Sequence, residues 1–184
     1  MVFVYFFLFL ALLIFAIFYI VQFYNILFRN CAPYLNTHSK TIEKILAEID
    51  IEGNETIYEL GCGNAGFLQL LGKKYPNTRL FGYEYSFLPW LIANIQLKIH
   101  GVKNLKIVRK NIFKLDLAKA NIIYCYLNIG TMQKLKKKFN KECQGNTQII
   151  SNKFQIHDWT PRKVIEVKEE KVYFYKNDLP KADQ

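Results

Sequence analysis

Residues 58–66 read YELGCGNAG, and the reading of these nine residues decides the reading of the whole chain. Gly61-Cys62-Gly63-Asn64-Ala65-Gly66 satisfies G-x-G-x-x-G, the fingerprint of dinucleotide sites. Glu59, an acid two residues ahead of the first glycine, belongs to a different nucleoside cofactor. Glycine lets the backbone turn tightly and approach a ligand closely, because no Cβ intervenes. A helix that starts at such a turn aims its positive N-terminus at the ligand. Both features suit a diphosphate, and they suit equally the carboxylate and ribose of a smaller adenosine compound.

Working outward, strands and helices alternate. Strands are predicted at 56–60, 79–85, 105–111, 121–127 and 147–154, and helices at 66–74, 87–100 and 131–143. Pro76 stops the first of these helices, Pro89 is tolerated in the first turn of the second, and Gly101 ends it. KVIEVK (163–168) and KVYFYK (171–176) alternate in period two and predict a closing hairpin across Glu169-Glu170. Ahead of the first strand, Ile42, Ile45, Leu46 and Ile49 mark one face of a helix ended by Gly53-Asn54. Alternation of this kind makes a parallel sheet covered by helices on both faces. Ligands bind such sheets beyond the carboxyl ends of the strands, where the glycine loop lies.

Three features separate the two cofactors. The Glu59 carboxylate would repel a diphosphate and receive an amino or hydroxyl donor. Only 57 residues follow Leu127, too few for the second half-site and substrate domain of a hydride-transfer enzyme. An antiparallel closing pair is unusual for a dinucleotide fold. Glu84, ending the second strand, sits near the spacing for an acid that accepts from ribose hydroxyls, and fits either ligand.

YELGCGNAGFLQLL, followed by Glu84, resembles the class I S-adenosylmethionine-dependent methyltransferases over roughly residues 32–176. With the oily N-terminus, APYLNT, YCYLNIGTMQKLKKKF and SNKFQIHDW, it is further similar to the small membrane-anchored protein-lysine methyltransferases related to those acting on ATP synthase c-subunit and adenine nucleotide translocase. The resemblance implies an α/β, Rossmann-like, seven-stranded sheet whose last strand is antiparallel, preceded by one transmembrane helix. It implies S-adenosylmethionine as cofactor and methyl transfer as the reaction. By position it places Gly61, Cys62, Gly63 and Gly66 at the methionine part and ribose, and Glu59 at the methionine end. Glu84 then takes the ribose hydroxyls, Tyr85 packs beside the adenine, and Asn111 with Ile112 meets the adenine amino group, where the family often has an acid. Tyr126 and Leu127 border the reactive methyl, and Tyr126 is the candidate catalytic residue. The link between SNKF and KVIEVK is too short for the family's usual helix.

The first 28 residues carry no charged side chain, long enough for a single transmembrane anchor of about 20 residues. A cleaved signal peptide would need a basic start and a small-residue cleavage site. An interfacial helix would need a charged face, and a buried core helix rarely suits so small a domain. Arg29, Lys40 and Lys44 follow the span and no Lys or Arg precedes it, so the catalytic part is expected on the cytoplasmic side. Cys31, Cys62, Cys125 and Cys143 form no C-x-x-C pair, as expected of free thiols in a reducing cytosol. The expected organisation is an anchor (1–28), a connector with a helix (29–55), a methyltransferase domain (56–178) and a tail (179–184).

The acceptor is less legible. An anchor concentrates the enzyme beside membrane proteins, so a lysine of a membrane protein is expected. A small or lipid-like acceptor and a non-catalytic cofactor-binding scaffold are the alternatives. The chain has 25 Lys+Arg against 15 Asp+Glu, yet its aromatics lie in the span and the strands rather than among exposed lysines, so nucleic acid is not the expected partner. The run from Lys134 to Lys141 reads as a solvated helix face or as a lipid-attracting one. His38, His100 and His157 share no metal-ligand spacing with the cysteines, and no metal is expected. Tyr126, Asp158 and Glu84 are the conceivable bases. Asn36, Thr37 and Ser39 also read as caps of the helix they precede, and His157-Asp158-Trp159 as a surface turn.

Overall fold

A computed structural model describes residues 2–29, 37–168 and 170–176. The chain divides into two units, Met1–Pro33 and Tyr34–Gln184.

The first unit holds one helix, α1 (Val2–Arg29). Its Val2–Val21 portion has a mean hydropathy of 2.9 and none of it is buried. Twenty helical residues at 1.5 Å each make about 30 Å, the thickness of a bilayer's hydrocarbon core. The helix is therefore long and apolar enough to cross a membrane. Cys31, Pro33, Tyr34, Asn36 and the expected tail lie outside the described residues.

The second unit starts with α2 (Ser39–Ala47) and continues β1 (Thr56–Leu60), α3 (Gly66–Lys74), β2 (Arg79–Glu84), α4 (Phe87–His100) and β3 (Leu105–Arg109). A short 3₁₀ turn (Ile112–Lys114) leads to β4 (Ile122–Cys125), α5 (Ile129–Glu142), β5 (Gln148–Asn152), β6 (Lys163–Val167) and β7 (Glu170–Lys176). The strands form one seven-stranded sheet in the order β3-β2-β1-β4-β5-β7-β6. The first five pair in parallel, while β7 runs antiparallel between β5 and β6. The order reverses at β1, between β2 and β4, so the switch point falls at the carboxyl end of Leu60.

Every residue of β1 and β4 is buried, as expected of strands covered on both faces. α3 presses Phe67, Leu68 and Leu71 onto the sheet, and α5 presses Met132, Leu135 and Phe139. α5 begins two residues before the predicted Thr131, because the Asn128 side chain accepts from the Thr131 amide at 2.8 Å and caps it. α2 buries Ile42, Ile45 and Leu46 as expected, but ends at Ala47 rather than at Gly53. The Glu55 carboxylate explains the difference: it accepts from the amides of Glu52 and Gly53 and builds a separate turn. Neither Thr37 nor Ser39 caps α2; His38 holds the N-cap position without a side-chain bond.

No helix lies between β5 and β6. In its place Trp159 tucks between the rings of Phe139 and Tyr175, at 6.4 and 5.7 Å between centroids. The Ile156 amide donates to the Tyr175 hydroxyl. His157 and Asp158 are exposed, but Trp159 is a packing residue rather than part of a surface turn.

Leu71 is fully buried between α3 and the sheet. Leu71→Ala should lower the unfolding free energy by about 2–5 kcal/mol, read as a lower urea midpoint at unchanged slope for the chain in mild detergent.

Candidate active site

The glycine loop is held from beneath by one carbonyl. The Tyr83 oxygen, near the end of β2, accepts from the amides of both Gly61 (2.8 Å) and Cys62 (3.0 Å). Gly61 has φ +74°, and a Cβ there would meet the Leu127 side chain at 2.7 Å. The positive φ at position 61 therefore favours glycine, and a side chain there would also displace the Leu127 methyl. Cys62 packs its thiol over Gly82, where an added Cβ would lie 2.9 Å from the sulfur. The Glu84 carboxylate takes the next amide, accepting from Gly63 at 3.1 Å, and its other oxygen accepts from Ser86 at 2.7 Å, just ahead of α4.

Above the loop opens a cleft of about 190 Å³, lined by Thr37, Glu59, Cys62, Asn64, Phe67 and Tyr126 together with Gly61 and Gly66. Of the residues singled out from sequence, Glu59, Gly61, Cys62, Gly66 and Tyr126 thus share one wall-to-wall space. Gly63 and Glu84 are not among its lining residues; they are joined to each other by the 3.1 Å bond from the Gly63 amide to the Glu84 carboxylate. Tyr85, Asn111 and Ile112 stand outside this cleft, at the carboxyl ends of β2 and β3, joined where the Lys110 amide donates to the Glu84 carbonyl. The Asn111 side-chain oxygen already accepts from the Phe113 amide at 2.9 Å.

Glu59 is 6% exposed, and its Oε2 has no hydrogen-bond partner. Burial pushes its carboxyl well above the usual carboxylate range; the Leu68 amide opposes this and the charge of Glu84 adds to it. A buried carboxylate oxygen left without a donor is costly, so the site is prepared for a donor or a cation.

Tyr124, Asn152 and Glu170, bonded to lining residues of the cleft or to one another, escape a reading of the sequence. The Tyr124 hydroxyl, fully buried, shares a 2.7 Å hydrogen bond with Thr37 Oγ1 and accepts from Asn152 Nδ2 at 3.1 Å. Its ring stacks on Phe67 at 4.1 Å. Glu170, at the start of β7, accepts the Tyr126 hydroxyl proton in a 2.8 Å bond, and Lys153 lies 3.6 Å from the same carboxylate. Burial and this bond hold the Tyr126 phenol well above its ordinary range. Asp158 is a surface residue paired with Lys136 at 3.1 Å and does not line the cleft. Among the described residues, no group of three or more His, Cys, Asp or Glu is gathered as for a metal ion.

Residues 59–163, more than half of the chain, match the ANTKMT methyltransferase domain. The chain belongs to that family. A protein-lysine N-methyltransferase of Saccharolobus islandicus is 27% identical over 138 residues, 74% of this chain and 86% of the relative. The human lysine N-methyltransferase of the ATP synthase c-subunit is 21% identical over 141 residues, 74% of this chain but only 58% of that protein. Among solved structures, an RNA methyltransferase of Salinibacter ruber bound to S-adenosyl-L-homocysteine superposes with a TM-score of 0.75 at 20% identity, covering 82% of this chain and all of that one. That last likeness establishes the fold. The ANTKMT-family chain is an S-adenosylmethionine-dependent methyltransferase, and the cleft fits its cofactor on structural grounds. The turn at Gly61 has the positive φ that glycine favours, and the orphaned Glu59 oxygen offers an acceptor to an amino group.

The raised Glu59 carboxyl has a consequence for stability. Its contribution is full below the unfolded value of about 4.3 and is lost as pH rises through the higher folded value. In the ligand-free protein, stability should therefore decline as pH climbs from about 4.3. Glu59→Gln should remove that decline, measured as the urea midpoint across the acid-to-neutral range.

Proposed function

We propose that this chain methylates the ε-amino group of a lysine in a membrane protein, held at the membrane by α1 with its catalytic unit on the cytoplasmic side. The observation that carries the chemistry is the pairing of an unsatisfied, buried Glu59 carboxylate with a glycine turn in one cleft. The lysine-directed reading is supported by the two relatives described as lysine methyltransferases. The membrane reading is supported by the length and hydropathy of α1 and by the basic residues that follow it.

In this reading Glu59 receives the amino group of the cofactor's methionine part, and the amides of Gly61, Cys62 and Gly63 approach its carboxylate and ribose. Glu84, already accepting from Gly63 and Ser86, has lone pairs left for the ribose hydroxyls. Tyr85, with Asn111 and Ile112, borders the adenine. When bound, the cofactor supplies a methyl group activated by a sulfonium, so the protein's work is alignment.

An ammonium has no lone pair, so the substrate lysine must lose a proton before it attacks. Tyr126 and Glu170 provide a route. The ammonium donates to the Tyr126 oxygen, the phenol hydrogen passes along its existing bond, and Glu170 accepts the proton. The neutral phenol is then restored and the free amine faces the methyl. Asp158 is too far removed to serve, and Glu84 is engaged elsewhere.

Two measurements test this. Glu84→Ala should weaken S-adenosylhomocysteine binding by at least about tenfold in calorimetry, the loss of charge-assisted hydrogen bonds, with the fold retained by circular dichroism; unchanged affinity refutes the ribose role. Glu170→Gln should lower kcat by about 10²-fold without changing cofactor affinity. Acceptor class is read by incubating membranes from cells lacking the enzyme with methyl-labelled cofactor and the purified protein. Label in a protein band, removed with a lysine substitution in that protein, supports the proposal. Label in extractable lipid points to a lipid-like acceptor, and label nowhere to a cofactor-binding scaffold.

A further inference from the structure

α4 is apolar on nearly every side, FLPWLIANIQLKIH, yet it packs against the sheet along only one of them. Ala93 is its only buried residue; Trp90 and Leu97, partly buried, complete the packed face. The other side presents Phe87, Leu88, Leu91, Ile92, Ile95 and Ile99, the last 75% exposed. Positions 88, 91, 92, 95 and 99 follow helical spacing and form one continuous stripe. Scattered exposed apolar residues are ordinary, but a contiguous stripe marks an interaction surface. The other helices of this unit carry no such stripe: α5 exposes Lys134, Lys137, Asn140 and Lys141 with Ile129 alone at its start, and α3 exposes Lys73 and Lys74.

The charge around the stripe identifies what covers it. From Tyr85 to Leu115 the sequence contains Lys98, Lys103, Lys106, Arg109, Lys110 and Lys114 and no Asp or Glu. All six are exposed. β3, the edge strand against which α4 packs, carries two of them, and the Arg109 guanidinium lies 5.4 Å from the centre of the Phe87 ring. The apolar side of α4 and the basic β3 edge thus adjoin at Phe87 and Arg109.

We propose that this face of α4, with its basic rim, docks on an anionic lipid bilayer. Phe, Leu and Ile side chains with a Lys- and Arg-rich border are what a helix lying in a membrane interface presents, and the rim attracts acidic headgroups. A second copy of this chain fits poorly. A two-fold interface would set the patch against itself and bring the same six cations face to face. Docking by the β3 edge leaves uncovered the opposite side of β1, where β4 leads to Tyr126. The inference rests on the membrane reading above only in placing a bilayer within reach.

The test uses the full chain reconstituted in vesicles of phosphatidylcholine and phosphatidylglycerol, with dibrominated lipid as a short-range quencher. Tryptophan is introduced as Ile95→Trp on the stripe or Lys137→Trp on α5, and each signal is compared with the parent. The added fluorescence at position 95 should fall by roughly half, the mark of a side chain in the acyl boundary, and that at 137 should not. Quenching at 95 should weaken when phosphatidylglycerol is left out. Alkaline carbonate washing reports separately on α1. Protein that resists the wash with no quenching at 95 overturns the docking face while leaving the anchor intact. Protein released by the wash, yet quenched at 95 before it, upholds the face and refutes the anchor. Absence of quenching together with a cross-linked dimer through position 95 assigns the stripe to a second copy and overturns the proposal.

Discussion

The carbonyl of Tyr83 accepts two consecutive amides, those of Gly61 and Cys62, and the geometry of the site follows from that one oxygen. It fixes the chain at the point where β1 ends, so the turn cannot drift from the neighbouring strand. Two residues then act in series. Tyr83 holds the first two amides of the turn, and Glu84 holds the third with one carboxylate oxygen. The other oxygen of Glu84 holds the Ser86 amide at the start of α4. One short segment of β2 thereby sets both the glycine loop and the start of the helix beside it. The preference for glycine at 61 is the counterpart on the other side, since a side chain there would displace the Leu127 methyl.

Charge is distributed in two opposed layers. The interior of the cleft is acidic, with Glu59 buried and Glu84 close enough to reinforce its proton affinity. The outside is basic along the β3 edge, where Lys106 and Arg109 are exposed. A cation or a hydrogen-bond donor is favoured within, while anionic surfaces are favoured without. The net charge of +10 describes only the second layer. Composition alone therefore says little about the ligand and a good deal about the surroundings.

The periodic features are legible from sequence. β1 and α3 fall on the expected residues, because the strand is bounded by turn residues and the helix by a glycine turn and Pro76. The closing hairpin is legible because its alternation is local. What escapes is whatever depends on distant partners. Thr37 reads locally as a helix cap, but its hydroxyl bonds Tyr124, 87 residues away. Glu170 reads as one of two turn acids, but its carboxylate meets Tyr126 across 44 residues. Trp159 belongs to the same class: no local pattern says that an indole will occupy the place of a helix. The early end of α2 has a different origin, a competing turn built by Glu55 that hydropathy does not register. The stripe on α4 is visible only as apolar letters, since sequence alone does not say how many sides of a helix the sheet will cover.

The packing of Cys62 against Gly82 bears on the redox chemistry of the enzyme. Only a thiolate reacts readily with electrophiles or peroxide. Burial raises the Cys62 thiol well above its ordinary range, and the neighbouring acids raise it further; Cys125 and Cys143 are likewise buried and raised. The sulfur at the glycine turn is in effect a small hydrocarbon. Alkylating reagents, which need a thiolate, should react with Cys62 slowly in the folded protein and readily once it is unfolded.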